Sequence, residues 1–435
     1  MPDAALQSSP AATPVHAAAG GCVPAVVIQH ADEVAALRQI RSVHVRAPQV
    51  NLRDLRRLDD RIAAHVDALS IAGRFATACC THALERPTTG PVFAAAVHAI
   101  HSQDSAALER LLAVAGALPA LVPALVSAFG WVSAQRLRGL VRPLLDTTDP
   151  VRIAVGLAAC RLHQVDPGEP LRAALKHRSA LVRAQALRVV ATLGRADCID
   201  HARVALADPA LALDGAWALC LLGQPDEALP VLRAFAFDES PMPETMRTAA
   251  LVPLMLSLPF EPAQALVRSA AATTRRKRVR ERTVLRACGL LGDVQFVPWL
   301  IARMDETLHA RAAGEAFSWI TGADLAELGL ERSQEPPRRA RDAAATLDPQ
   351  EGLPWPNREA VQSWWAEHAP AFSAGTRHFM GAPPSMAHCE HILRSRPQRQ
   401  RAIAAQQACI LRPGLRLFNT QAPAWRQQRL LEVPA

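Results

Sequence analysis

From residue 52 onward the apolar positions step by three and four. Leu52, Leu55, Leu58, Ile62, Val66 and Leu69 fall on one face of a single helix. The charges between them, Arg53, Asp54, Arg56, Arg57, Asp59, Asp60 and Arg61, read as a solvated and mutually paired face. Residues 26–46 have the same helical texture. Residues 111–135 carry no charge over a length sufficient to span a bilayer. Pro119 divides them, which predicts two buried core helices instead of one membrane helix.

Beyond residue 149 the pattern repeats. VRIAVGLAACRLH (151–163), VRAQALRVVATLG (182–194), LALDGAWALCLLG (211–223), RTVLRACGLLG (282–292) and ARAAGEAFSWITG (310–322) are each one Ala/Leu/Val-rich helix, with a weaker copy at 246–258. Their ends at His163, Gly194, Gly223, Leu258, Gly292 and Gly322 lie 29 to 35 residues apart. A period near thirty predicts helical hairpins, each burying its apolar face on the next. The glycines stand where a helix end takes a left-handed residue. Asp149-Pro150 and Asp208-Pro209 each offer an N-cap acceptor followed by a proline suited to the first helical position. Shorter second helices are expected at 198–206 and 296–304.

Composition narrows the class. Half of the 435 residues are apolar, which excludes a mainly disordered chain, and 4% aromatics with no tyrosine argues against an all-β fold. The net charge is +8, and 46 of the 48 basic residues are arginine. Such a balance raises nucleic acid as a partner, although an Ala- and Arg-rich composition also follows from a GC-rich genome. Nine cysteines without a CxxC, several inside apolar helical patterns, fit a reduced, cytoplasmic chain. The N-terminal residues lack the charged start and compact apolar core of a signal peptide.

DPVRIAVGLAAC and LLGDVQFVPWLIARMDETLHARAAGEAFSWITG resemble HEAT repeats of the short bacterial type, clearly over 149–322 and more loosely over 92–146. The flanking segments NLRDLRRLDDRIAAHVDALSIAG, GLPWPNREAVQSWWAEH and LRPGLRLFNTQAPAWRQQRL resemble an uncharacterised bacterial HEAT-repeat family. Its members are often encoded beside type VI secretion components, including spike proteins and effector-loading adaptors. The resemblance implies that association and supplies no catalytic residues.

The expected fold is all-α: a right-handed α-solenoid of short HEAT-type helical hairpins with a helical N-terminal cap and an irregular C-terminal extension. The expected division is a disordered head at 1–22, a helical cap region at 23–91, the solenoid at 92–330, a Pro-rich linker at 331–357 and a helical and extended region at 358–435. Within the last, a helix over 384–410 is cut by Pro397, and the tail folds back as a cap over the last repeat.

Most candidate chemistry is weak. His388-Cys389-Glu390-His391 sets four metal-ligand types side by side but lacks a second half. His98 and His101, with Cys79, Cys80 and His82, meet only if two helices bring them together. No nucleophile elbow, phosphate loop or dinucleotide fingerprint occurs, and no His-Glu dipeptide of the kind that holds iron in HEAT-like hydroxylases. No enzyme activity, cofactor or metal is expected. The basic run Arg275, Arg276, Lys277, Arg278, Arg280 and Arg282 suits phosphate or carboxylate partners, and would make a nucleic-acid stripe if it joined the tail, which carries eight arginines and no acid over 391–431. Trp131, Trp217, Trp299 and Trp319 read as core. Trp364 and Trp365, with Trp355 and Trp425, read as docking residues or, where exposed, as anchors for a protein partner. The expected function is a non-catalytic protein-binding scaffold, adaptor or chaperone, accessory to a type VI secretion spike or its effectors. A nucleic-acid-binding solenoid is the alternative.

Overall fold

The computed structural model describes residues 22–238, 242–274, 281–333 and 350–432. The head (1–21), Arg275, Arg276, Lys277, Arg278 and Arg280, and most of the Pro-rich segment (334–349) lie outside the described residues. Among the described residues the chain is all helical, with isolated bridges at Glu331–Pro356 and Phe379–Ala382. None of these helices is long and apolar enough to cross a membrane. Two compact units form, one from Met1–Arg41 and Leu58–Arg138, the other from Ser42–Arg57 and Gly139–Ala435. Residues 92–138, grouped with the repeats on sequence, cluster in the first unit, and the C-terminal region clusters with the repeats.

The chain opens with α1 (Pro24–His44), α2 (Leu52–Ala72), α3 (Arg74–Ala83), α4 (Thr89–His101), α5 (Ser105–Ala117) and α6 (Val122–Trp131). In the first unit α4 packs against α3, α5 and α6, and every residue from Val92 to Ile100 is buried. A helix apolar on all sides has to be surrounded, and VFAAAVHAI is such a run. Phe93 meets Trp131 edge-on at 6.3 Å. The uncharged stretch divides as its prolines dictate: α5 ends at Ala117, Pro119–Leu121 forms a 3-10 turn, and α6 follows. The apolar stripe of α2 is buried from Leu52 to Leu69. Its charged face is not wholly solvated, because Arg41 reaches from α1 and binds both oxygens of Asp59, which is fully buried.

The second unit adds α7 (Val141–Leu145) and then the repeats. In chain order these are α8 (Pro150–His163), α9 (Glu169–Leu175), α10 (Ala180–Leu193), α11 (Ile199–Ala205), α12 (Ala212–Leu221) and α13 (Ala228–Phe237), with α9 packed on α10, α11 chiefly on α12, and α13 on both α12 and α14. After α14 (Glu244–Ser257), α15 (Phe260–Thr274) packs on α16 (Glu281–Leu291), and α17 (Val297–Arg303) packs on α18 (Ala310–Thr321). α8, α10, α12, α14, α16 and α18 pack one on the next as a first row. The second-row helices α9 to α17 back them, and one continuous apolar core joins the two rows. Asp149 caps α8 by accepting from the amides of Val151 and Arg152, as its place before Pro150 predicts. Asp208 does not cap α12. It opens a turn three residues earlier, accepts from the Ala210 amide and pairs with Arg183 at 2.8 Å.

After the repeats come α19 (Arg358–His368), α20 (Met386–Ser395), α21 (Gln398–Leu411) and α22 (Ala424–Glu432). Pro397 separates α20 from α21, and the two pack together as a hairpin.

Candidate functional site

The C-terminal region travels much further than the last repeat. α21 lies on α12 and α14, where Trp217 Nε1 donates to Gln406 Oε1 at 2.9 Å. On either side of the α20–α21 hairpin, the tail backbone runs over the C-terminal ends of the first-row helices, where carbonyls lack partners within their own helix. His378 N donates to Gly292 O, Met380 N to Trp319 O, Gly381 N to Ile320 O and Leu417 N to Thr192 O. Arg377, half-buried, adds the carbonyls of Met255 and Leu258, at 2.7 and 2.9 Å.

This crossing explains the glycines at the repeat ends more fully than a left-handed cap does. Gly292 has φ 73°, and a Cβ there would overlap the His378 carbonyl. Gly194 has φ 67°, and a Cβ would overlap the backbone of Gly414. α8 ends without glycine. Gln164 takes the left-handed conformation itself (φ 58°), and its side chain donates to Leu417 O at 2.6 Å.

Four of the eight tail arginines are committed to this packing. Arg401 is fully buried and donates to Leu393 O at 2.7 Å, to Gln427 Oε1 at 2.6 Å and to Gln398. Burial brings its pKa from 12.5 down to about 10. Arg399 pairs with buried Glu315, Arg394 holds Glu390 and Leu431 O, and Arg416 donates to Gln164 O. Of the sequence-predicted basic run, Arg282 lies within the described residues, near the start of α16 and 3.5 Å from Leu308 O. Trp364 and Trp365 both dock edge-on against Phe317 of α18, at 5.7 and 6.4 Å, and Trp364 stacks on His368 at 4.1 Å. Trp355 lies under the Arg311 guanidinium at 4.7 Å.

The metal-type clusters find ordinary partners. Cys389 is buried, His388 Nε2 lies 2.7 Å from Phe379 O, and Glu390 is taken by Arg394. His98 meets Thr77 at 3.0 Å and His82 meets Glu85 at 3.0 Å. One grouping was not legible from spacing. Glu281, Glu306 and His309 bring ligand atoms within 4.8 Å of one another. Arg303 already stands among them, with Nε 3.2 Å from Glu281 and Nη1 on Glu306, so a guanidinium supplies the positive charge there. Burial lowers the His309 pKa, against the pull of Glu281 and Glu306.

The second row is tied at its junctions by a recurring polar link. Arg172 of α9 reaches Asp197, 25 residues on, just before α11. Arg203 of α11 reaches Glu227, 24 residues on, just before α13. Arg268 of α15 reaches Gln295, 27 residues on, just before α17. Among the described residues the junction from α13 to α15 has no such link. The residues 24 to 27 beyond Arg233 are Ser257, Leu258, Pro259 and Phe260, which offer no carboxylate or amide side chain. Among the described residues Arg233 has no hydrogen-bond or ion-pair partner, and a groove of about 780 Å³ opens beside it. Leu229, Arg233 and Phe237 line one wall, and Pro262, Leu266 and Ala270 the other. No family model, curated protein or solved structure matches this chain.

Proposed function

We propose that the chain is a non-catalytic protein-binding scaffold, a right-handed α-solenoid of short HEAT-type hairpins, working in the cytoplasm. The observation that carries this reading is the apolar groove between α13 and α15, in an array whose other second-row junctions carry a polar link. Apolar grooves between helices on a rigid frame are the usual seats of protein partners. α21 covers part of the first row and α19 packs on α17, so the second row from α9 to α15 is the side left for a partner. By the resemblance over 149–322 and its flanks, the partner is a type VI secretion spike, adaptor or effector protein.

The test is affinity purification of the tagged full chain from its own host, nuclease-treated, at low and high salt, with mass spectrometry. Secretion proteins retained at both salts are the expected result. Loss of every partner on nuclease treatment or at high salt hands the function to the basic residues Arg275 to Arg282 and a nucleic acid.

A further inference from the structure

The open junction has a defined chemistry. Leu229, Arg233 and Phe237 are spaced by four along α13, as are Pro262, Leu266 and Ala270 along α15, so each helix presents one straight ridge to the gap. Eight residues of helix span about 12 Å, or two turns. The groove is therefore short, straight and walled by two helices, with Leu254 and Leu258 at its floor. Leu229, Phe237, Leu258 and Leu266 are only partly buried by the chain's own packing.

In the middle of one apolar wall stands Arg233, a guanidinium without an acceptor among the described residues. Its counterparts Arg172, Arg203 and Arg268 are each satisfied by the following second-row helix. At one end of the groove Asp226, also without a partner among the described residues, lies two turns before Arg233.

We infer that this groove docks a helix of a partner protein, one with an apolar ridge at helical spacing and a carboxylate at its centre. The inference rests on the protein-binding reading and names its surface. The partner's carboxylate takes the place that Asp197 and Glu227 fill at the neighbouring junctions, forking onto Arg233. Its apolar side chains cover Leu229, Phe237 and Leu266, and a basic residue toward one end meets Asp226. A helix fits better than a strand because both walls are helices whose backbone groups are bonded internally, which leaves no edge for strand addition.

The test places a photo-crosslinking benzoylphenylalanine at Ser269, which lines the groove, in the full chain in its own host. Val204 and Ile71, exposed at 75% and 88%, serve as comparison positions. The expected result is a partner peptide crosslinked at Ser269 that carries apolar residues three or four apart around an Asp or Glu. Its yield falls about tenfold in Arg233→Glu and is retained in Arg233→Lys, with unchanged circular dichroism. Crosslinking at Val204 or Ile71 but not at Ser269 overturns the groove and leaves the scaffold reading standing. No protein crosslinked at any position removes both. A Ser269 partner that lacks the central carboxylate, or whose yield ignores Arg233→Glu, overturns the assigned chemistry, as does a nucleic acid crosslinked there.

Discussion

Arg401 is a buried cation whose donors go to neutral acceptors: one carbonyl and two glutamine side chains. The glutamines are themselves anchored, since Gln398 and Gln427 both donate to Thr420 O. A single charged residue thus fixes α20, α21, α22 and the turn between the last two. Five buried or half-buried histidines have the opposite problem, an imidazole whose charged form burial disfavours. His44, His65, His98, His101 and His309 all have pKa values lowered from 6.5, with burial the first cause of each. For His98 the pull of Asp104 and of the Gly73 backbone does not offset it. Between pH 6.5 and the lower folded values the unfolded chain therefore binds more protons than the folded one. Stability from these groups is complete above pH 6.5 and is lost as the pH falls below it. Urea midpoints should decline from pH 7 to 5.5, before carboxylates titrate, and His98→Gln should flatten that decline. A midpoint that is level over this range would contradict the sign.

At the scale of the element, the repeat helices and their glycine ends can be read from the chain because they depend on local spacing and capping. The tail's route cannot, because its bonds go to main-chain carbonyls 61 to 252 residues away, and any residue supplies a carbonyl. Only the close approach leaves a trace, in glycines that serve twice. Gly292→Ala must bear a left-handed alanine and push His378 away from the end of α16, breaking its bond to Gly292 O. A loss of roughly 3 kcal/mol is expected. Gly329 has a similar φ of 65° with nothing within 4 Å, and Gly329→Ala should cost only about 1 kcal/mol. Denaturant unfolding of the two variants checks the order, and equal losses would show that the tail's approach does not matter. The groove was illegible for a related reason. Arg233 looks like any exposed helix arginine until its neighbours' partners, one repeat further on, are known. Asp59 was misplaced because a run of alternating charges gives no sign of which member meets Arg41.

For the whole molecule, the charge excess invites a polyanion reading that the placement of the arginines weakens. The eight tail arginines would have completed a basic stripe with the run at 275–282, yet Arg394, Arg399, Arg401 and Arg416 are held by carboxylates, carbonyls and amides of the chain itself. Arg172, Arg183, Arg188, Arg195 and Arg203 pair with acids of the neighbouring repeats. Guanidiniums committed in this way neutralise few phosphates. Affinity for duplex DNA falls with salt by a slope of about −0.9 for each phosphate contacted, so the slope counts the arginines left available. A slope equivalent to roughly three phosphates or fewer is expected, and Arg399→Gln and Arg416→Gln should leave it unchanged while lowering stability. A slope equivalent to about six or more, reduced by those two substitutions, would mean that the tail arginines leave their intramolecular partners for phosphate. The molecule would then be a nucleic-acid binder that unclasps its own tail, and the groove beside Arg233 would lose its claim to be the principal surface.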